Sequence, residues 1–178
     1  MKKVTLHDKT FSLSIPDTEI QQAVERVAAQ INKDMAGETP VFVGLLNGAF
    51  MFAADLLKLI EAPCEVSFIK YSSYVGTQSV GEVSELIGLN TDLKNRTVII
   101  LEDIIDTGLT ISRLLNDLQS KGLKQVKIAT LLFKPDAFKG NYSVDYIGMS
   151  IPNDFIVGYG LDYDELGRNL KDIYTLVQ

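Results

Sequence analysis

The densest chemistry in the chain lies in thirteen residues, VIILEDIIDTGLT, residues 98–110. The apolar, mostly β-branched run 98–101 reads as a strand covered on both faces, and it delivers two adjacent carboxylates, Glu102 and Asp103. After two isoleucines, Asp106, Thr107, Gly108, Leu109 and Thr110 lead into a helical pattern. A helix N-terminus offers free N–H groups and the positive end of a dipole. Gly108 lets the backbone approach a ligand closely, and Thr107 and Thr110 add hydroxyl donors. Together these features make a phosphate cradle. The lysine of a Walker loop is missing, and no G-x-G-x-x-G turn occurs. The acid pair upstream suits the vicinal hydroxyls of a sugar and can help hold Mg²⁺. Any one of these residues alone reads as a solvated strand end or an ordinary N-cap. Their order carries the signal.

The elements that must position this cradle are legible around it. Ile20, Val24, Val27, Ala28 and Ile31 recur at helical spacing, which predicts a helix over 17–37 with Asp17 as N-cap and Gly37 as stop. An apolar run over 41–46 ends in Asn47-Gly48, and a second helix is expected over about 50–60. Residues 65–71 read as a strand, and 110–121 as a helix with Ile111, Leu114, Leu115 and Leu118 on one side. A buried strand over 126–133 stops at Lys134-Pro135, and shorter strands are expected at 146–151, 155–158 and 173–177. Strands alternating with helices imply an α/β fold with a doubly wound, mainly parallel sheet. Its ligand site belongs beyond the carboxyl ends of the strands. With no repeat or linker in view, all of 1–178 reads as one domain.

Composition narrows the chemistry. The chain is acidic, with a formal net charge of −6, which argues against a protein that coats nucleic acid. One cysteine, Cys64, allows no internal disulfide. One histidine, His7, in a polar N-terminal stretch, argues against a Ser-His-Asp triad or a histidine-rich zinc site. A metal here is expected to sit on oxygen ligands, which favours Mg²⁺. The first residues carry two lysines with no apolar run after them, and no stretch approaches the ~20 apolar residues of a membrane span. The expectation is a cytoplasmic protein with no membrane partner.

The segment 98–110 resembles the signature of type I phosphoribosyltransferases, and the flanking motifs resemble the hypoxanthine-guanine branch of that family, from about residue 41 to the C-terminus. The resemblance implies that Glu102 and Asp103 contact the ribose hydroxyls of phosphoribosyl pyrophosphate. It places the 5′-phosphate on the loop 106–110 and turns Asp106, the catalytic residue, toward N7 of a purine. Leu46, Asn47 and Gly48 match the pyrophosphate-binding loop, with a cis peptide expected between Leu46 and Asn47. Residues 72–85 match a mobile lid, with Ser73 and Tyr74 at its Ser-Tyr pair. Lys134 matches the lysine that bonds the purine O6. The block 151–170 matches a small hood, formed by about 145–178 and the N-terminal segment. There Phe155 stacks on the base, Ile156 offers backbone groups to its edge, Asp162 contacts Mg²⁺ and Arg168 holds pyrophosphate. Mg²⁺ would rest on Glu102, Asp103 and Asp162. The implied activity is purine salvage: hypoxanthine or guanine joined to the activated ribose phosphate, by a homodimer or homotetramer. Two alternatives stay open on sequence: a same-fold enzyme for another base such as xanthine, and a non-catalytic regulator that senses a nucleotide.

Overall fold

The computed structural model describes residues 2–71, 85–87, 89 and 91–177. Its centre is a six-stranded sheet in the order β5-β4-β3-β6-β7-β8. β3 (Val41–Leu45) and β6 (Thr97–Ile105) lie side by side in the middle. β4 (Glu65–Tyr71) pairs in parallel with β3, and β7 (Gln125–Phe133) and β8 (Tyr146–Ser150) extend the parallel array on the other side. Only β5 (Glu85–Ile87) runs antiparallel, along β4. All five residues of β3 are buried, as expected of a strand covered on both faces.

Alternation along β6 divides the core. Ile99 and Leu101 face α1 (Asp17–Asp34) and α2 (Phe50–Leu57), whereas Val98 and Ile100 face α3 (Leu109–Leu118). Six apolar residues of α1 are buried against the sheet; Ile20, Val24, Val27 and Ile31 are each worth about 1.5–3 kcal/mol, and Ile20→Ala should cost about 2–5 kcal/mol. The chain winds from β3 toward β4 in one direction and from β6 toward β8 in the other. The switch point lies between β3 and β6, where a doubly wound sheet opens a crevice at its carboxyl edge.

Two expectations change in detail. Asp17 is the first residue of α1 and not its cap: Pro16 holds the extended N-cap conformation and supplies no cap side chain. The Asp17 N–H is met instead by Asp172 Oδ1 at 2.9 Å. Sequence spacing cannot reveal a cap from so far along the chain. The helix ends at Asp34 with Met35 as its C-cap, short of the expected stop, and Gly37, at φ +79°, lies in the turn that follows. The polar N-terminal stretch, assigned no element from sequence, is a hairpin of β1 (Lys3–Leu6) and β2 (Lys9–Ile15). With β10 (Ile173–Leu176) and β9 (Ile156–Val157) it forms a second, antiparallel sheet in the order β1-β2-β10-β9. Residues 146–150 pair with β7, so the chain passes to this small sheet only after Ser150. Phe11, Val157 and Tyr174 form its own small core. Among the described residues, no helix is long and apolar enough to cross a membrane.

Candidate active site

The floor of the crevice is the turn after β3. The Leu46-Asn47 peptide is cis, as the resemblance implies, and Asn47 Oδ1 accepts a hydrogen bond from Lys70 Nζ at 3.0 Å. Gly48 follows, and a Cβ there would run into the Asp103 carboxylate. A hydrogen is the largest substituent this approach admits.

β6 continues past the expected residue 101 to Ile105, so Glu102 and Asp103 belong to the strand itself. Both are buried, 8% and 7% exposed. Burial and the neighbouring Asp103 carboxylate push the Glu102 carboxyl well above the usual carboxylate range. Asp103 is also raised by burial, against the opposing pull of Glu102, the Ile104 N–H and the Arg168 charge. Burial thus raises both carboxyls, Glu102 the more strongly. An acid pair in a dry site at a cost of this kind is a mark of function rather than of stability.

The cradle sits just beyond. Gly108, at φ +82°, precedes α3 and offers no capping side chain. Ser112 is the residue whose N–H reaches back to Gly108 O, at 3.0 Å, so the geometry of a helix start leaves the amides of 109–111 facing outward. The loop is pinned from behind: Tyr142 donates to Gly108 O at 2.9 Å, and Phe138 and Tyr142 fill the space a Gly108 Cβ would need. Burial, and the charge of Glu102, push the Tyr142 phenol up to about 12, which keeps it a donor. The result is a hollow of about 90 Å³ lined by Glu102, Asp106, Thr107, Gly108, Leu109 and Thr110. The Leu109 side chain is 71% exposed, so what it offers a ligand is its backbone.

On the hood side, a cleft of about 260 Å³ brings Asp106, Lys134, Phe155, Ile156, Asp162 and Arg168 together. Lys134 is buried at the end of β7, and its Nζ lies 2.9 Å from Asp106 Oδ2. Ile156 is almost fully buried, paired through β9 with Thr175. Phe155 is half-exposed, held along its edges by Phe11 and Tyr163, with ring centroids at 6.0 and 5.9 Å. It lines the cleft with Lys134 and Asp106. Arg168 Nη1 donates to Gly160 O at 2.9 Å, and Nη2 pairs with Asp162 Oδ1 at 2.8 Å.

The expected metal residues stand on different elements. Among the described residues no three His, Cys, Asp or Glu side chains converge to hold an ion, so Glu102, Asp103 and Asp162 do not form one ligand cage. The acid pair is on β6, whereas Asp162 stands on the hood wall in the grip of Arg168. The donor set still suits a hard cation, since all three are carboxylates and Mg²⁺ ordinarily draws much of its shell from water and substrate. Ser73 and Tyr74, on the segment matched to a lid, lie outside the described residues.

Sequence reading missed two residues of a hollow of about 560 Å³, where Tyr71 and Arg113 join Leu46, Gly48, Glu102 and Asp103. The Arg113 guanidinium lies 5.1 Å from the Tyr71 ring centroid, and Tyr71 OH donates to Asp117 at 2.7 Å. A signal existed: Arg113 is three positions after Thr110, on the same helical face as the cradle. Tyr142 and Asp172 had no local signature.

An acid pair beside a phosphate cradle, both set at the switch point of the sheet, defines a class of sugar-phosphate proteins. The family profile described as the phosphoribosyl transferase domain matches residues 16–164, and the chain belongs to that family. It is 40% identical over 172 residues to a hypoxanthine-guanine phosphoribosyltransferase of Staphylococcus aureus, covering 96% of each chain. A solved hypoxanthine phosphoribosyltransferase from Staphylococcus aureus superposes with a TM-score of 0.87 at 41% identity, covering 93% of this chain and 91% of that one. A hypoxanthine-guanine phosphoribosyltransferase structure from Bacillus anthracis gives 0.85 at 37% identity, covering 93% and 97%.

Proposed function

We propose that this chain transfers the 5-phosphoribosyl group of phosphoribosyl pyrophosphate to hypoxanthine or guanine, releasing pyrophosphate and forming the nucleotide. The carrying observation is the Lys134–Asp106 pair, 2.9 Å apart at the mouth of the cradle. A 6-oxopurine presents O6 and N7 side by side, an acceptor next to a site that carries a proton. An ammonium donor beside a carboxylate acceptor complements that edge. Adenine offers an amino group where Lys134 needs an acceptor, and pyrimidines have no N7.

In this reading the outward amides of the cradle, with Thr107 and Thr110, take the 5′-phosphate. Glu102 and Asp103 take the ribose hydroxyls, while Leu46, Asn47, Gly48 and Arg168 hold the pyrophosphate. Phe155 stacks on the base, and the backbone of Ile156 meets its edge. The purine N9 bonds to the anomeric carbon as that carbon's bond to the pyrophosphate oxygen breaks. The N7 proton passes to Asp106, which leaves the nucleotide base neutral. Arg168, a permanently charged fork, stabilises the negative charge that gathers on the leaving group. Glu102, Asp103 and Asp162 would hold Mg²⁺ with water and substrate completing its shell, and the ion would supply Lewis-acid stabilisation of that charge. A general base contributes typically ~10²–10⁴-fold, so positioning and leaving-group electrostatics carry the larger share.

We further infer from family membership a single domain over 1–178, a cytoplasmic setting and a homodimer or homotetramer, the last tested by light scattering. The functional test mixes the protein with phosphoribosyl pyrophosphate, Mg²⁺ and, separately, hypoxanthine, guanine, xanthine, adenine and uracil. Nucleotide should appear with hypoxanthine or guanine, with one pyrophosphate per turnover. Turnover confined to xanthine, adenine or uracil, or none with any base, would contradict the assignment.

A further inference from the structure

The hood meets the floor of the crevice at one tight point. Gly160, at φ +98°, lies so close to the Gly48 carbonyl that a Cβ would collide with it. The same residue is bonded twice to Arg168: its carbonyl accepts from Nη1 at 2.9 Å, and its N–H donates to the Arg168 carbonyl at 3.0 Å. Whatever fixes Gly160 therefore fixes Arg168 against the Leu46–Gly48 turn.

The residue before it is Tyr159, 2% exposed and at φ +49°. A bulky side chain adopts that conformation at a cost, and one that persists has a use. Tyr159 N–H donates to Leu170 O at 2.7 Å. Its hydroxyl leaves the hood altogether and donates to Asp55 Oδ2 at 2.7 Å. Asp55 lies on α2, the helix that grows directly out of the Gly48 turn. The same oxygen accepts from Gln21 Nε2 of α1 at 3.1 Å, and Lys58 Nζ holds the other at 2.7 Å. Burial works against the Asp55 charge, but the hydrogen bonds from Lys58, Tyr159 and Gln21 hold its carboxyl below the usual range. Burial, reinforced by Asp55, keeps the Tyr159 phenol protonated.

We propose that Tyr159 is a positioning residue, whose hydrogen bond to Asp55 sets the Gly160–Arg168 loop against the Leu46–Gly48 turn before substrate arrives. The inference rests on the functional reading above, in which those two segments share the pyrophosphate. It assigns the bond to the sugar-pyrophosphate substrate and not to the base, which Lys134 and Phe155 contact in the functional reading above.

The test is steady-state kinetics on Tyr159→Phe, Asp55→Leu and Asp55→Asn, with the wild-type protein alongside. Tyr159→Phe and Asp55→Leu should each raise KM for phosphoribosyl pyrophosphate about tenfold, with KM for hypoxanthine changed less than about twofold. Asp55→Asn keeps an oxygen acceptor and should stay within about twofold of wild type for both substrates. An unchanged pyrophosphate-substrate KM in Tyr159→Phe, or equal shifts for both substrates, overturns the proposal while leaving the enzyme assignment intact. A wild-type protein that forms no nucleotide overturns the assignment first, and the inference with it.

Discussion

The cradle and the hood face each other across one cleft, yet the chain builds them differently. The cradle comes from one continuous stretch, β6 running through residues 106–108 into α3. The hood comes from both ends of the chain, and its fastenings reach far. Lys2 bonds to Asp172 across 170 positions, Tyr163 to Asp8 across 155, and Tyr159 to Asp55 across 104. A local cradle carries its geometry in the order of its residues. The hood acquires its geometry only when the whole chain has folded, so its residues should respond to remote changes that leave the cradle untouched.

The sharpest way to break this contrast is to damage the floor that both walls share. Gly48→Ala should lower kcat/KM by about 10²-fold, because a methyl group displaces the Asp103 carboxylate; activity near wild type would show that the approach is not needed. Within the cradle, Asp106→Asn should lower kcat at least about tenfold while KM for phosphoribosyl pyrophosphate stays within twofold. Equal kcat in the two proteins would remove Asp106 as the base. On the hood, Phe155→Ala should raise KM for hypoxanthine about fivefold and leave the sugar substrate alone, from the loss of one stacked face. A change in both KM values would mean that Phe155 supports the whole wall.

The smallest effect concerns stability. The Lys2 ammonium and the Asp17 N–H hold the Asp172 carboxyl below its usual range. A group lowered in the folded state stabilises above its unfolded value of about 3.9 and loses that contribution as pH falls through the folded value. Asp172→Asn should therefore cost about 2 kcal/mol at pH 7 and show a flatter loss of stability below about pH 4 than wild type. Parallel curves in denaturant titrations at pH 7, 4 and 3 would contradict it.

The same contrast explains what could be read from the sequence. The acid pair, Gly108 and the helix start sit where spacing predicts, because strand, loop and helix are adjacent in the chain. The parallel order around β3 and β6 follows from the alternation of elements. The N-terminal hairpin was missed although Phe11, Leu13 and Ile15 alternate with polar residues, because its His7-Asp8 turn lacks the glycine that marks a tight hairpin. Asp172 as the partner of the first amide of α1, Tyr142 behind Gly108 and Tyr159 on Asp55 are tertiary facts with no local sign.

The proposed function depends on where the phosphate and the pentose bind. A crystal structure with inosine monophosphate is the direct measurement. The 5′-phosphate should lie within hydrogen-bonding distance of the amides of 107–110, with the ribose hydroxyls on Glu102 and Asp103 and O6 on Lys134 Nζ. A nucleotide seated elsewhere, with those amides facing only solvent, would contradict it.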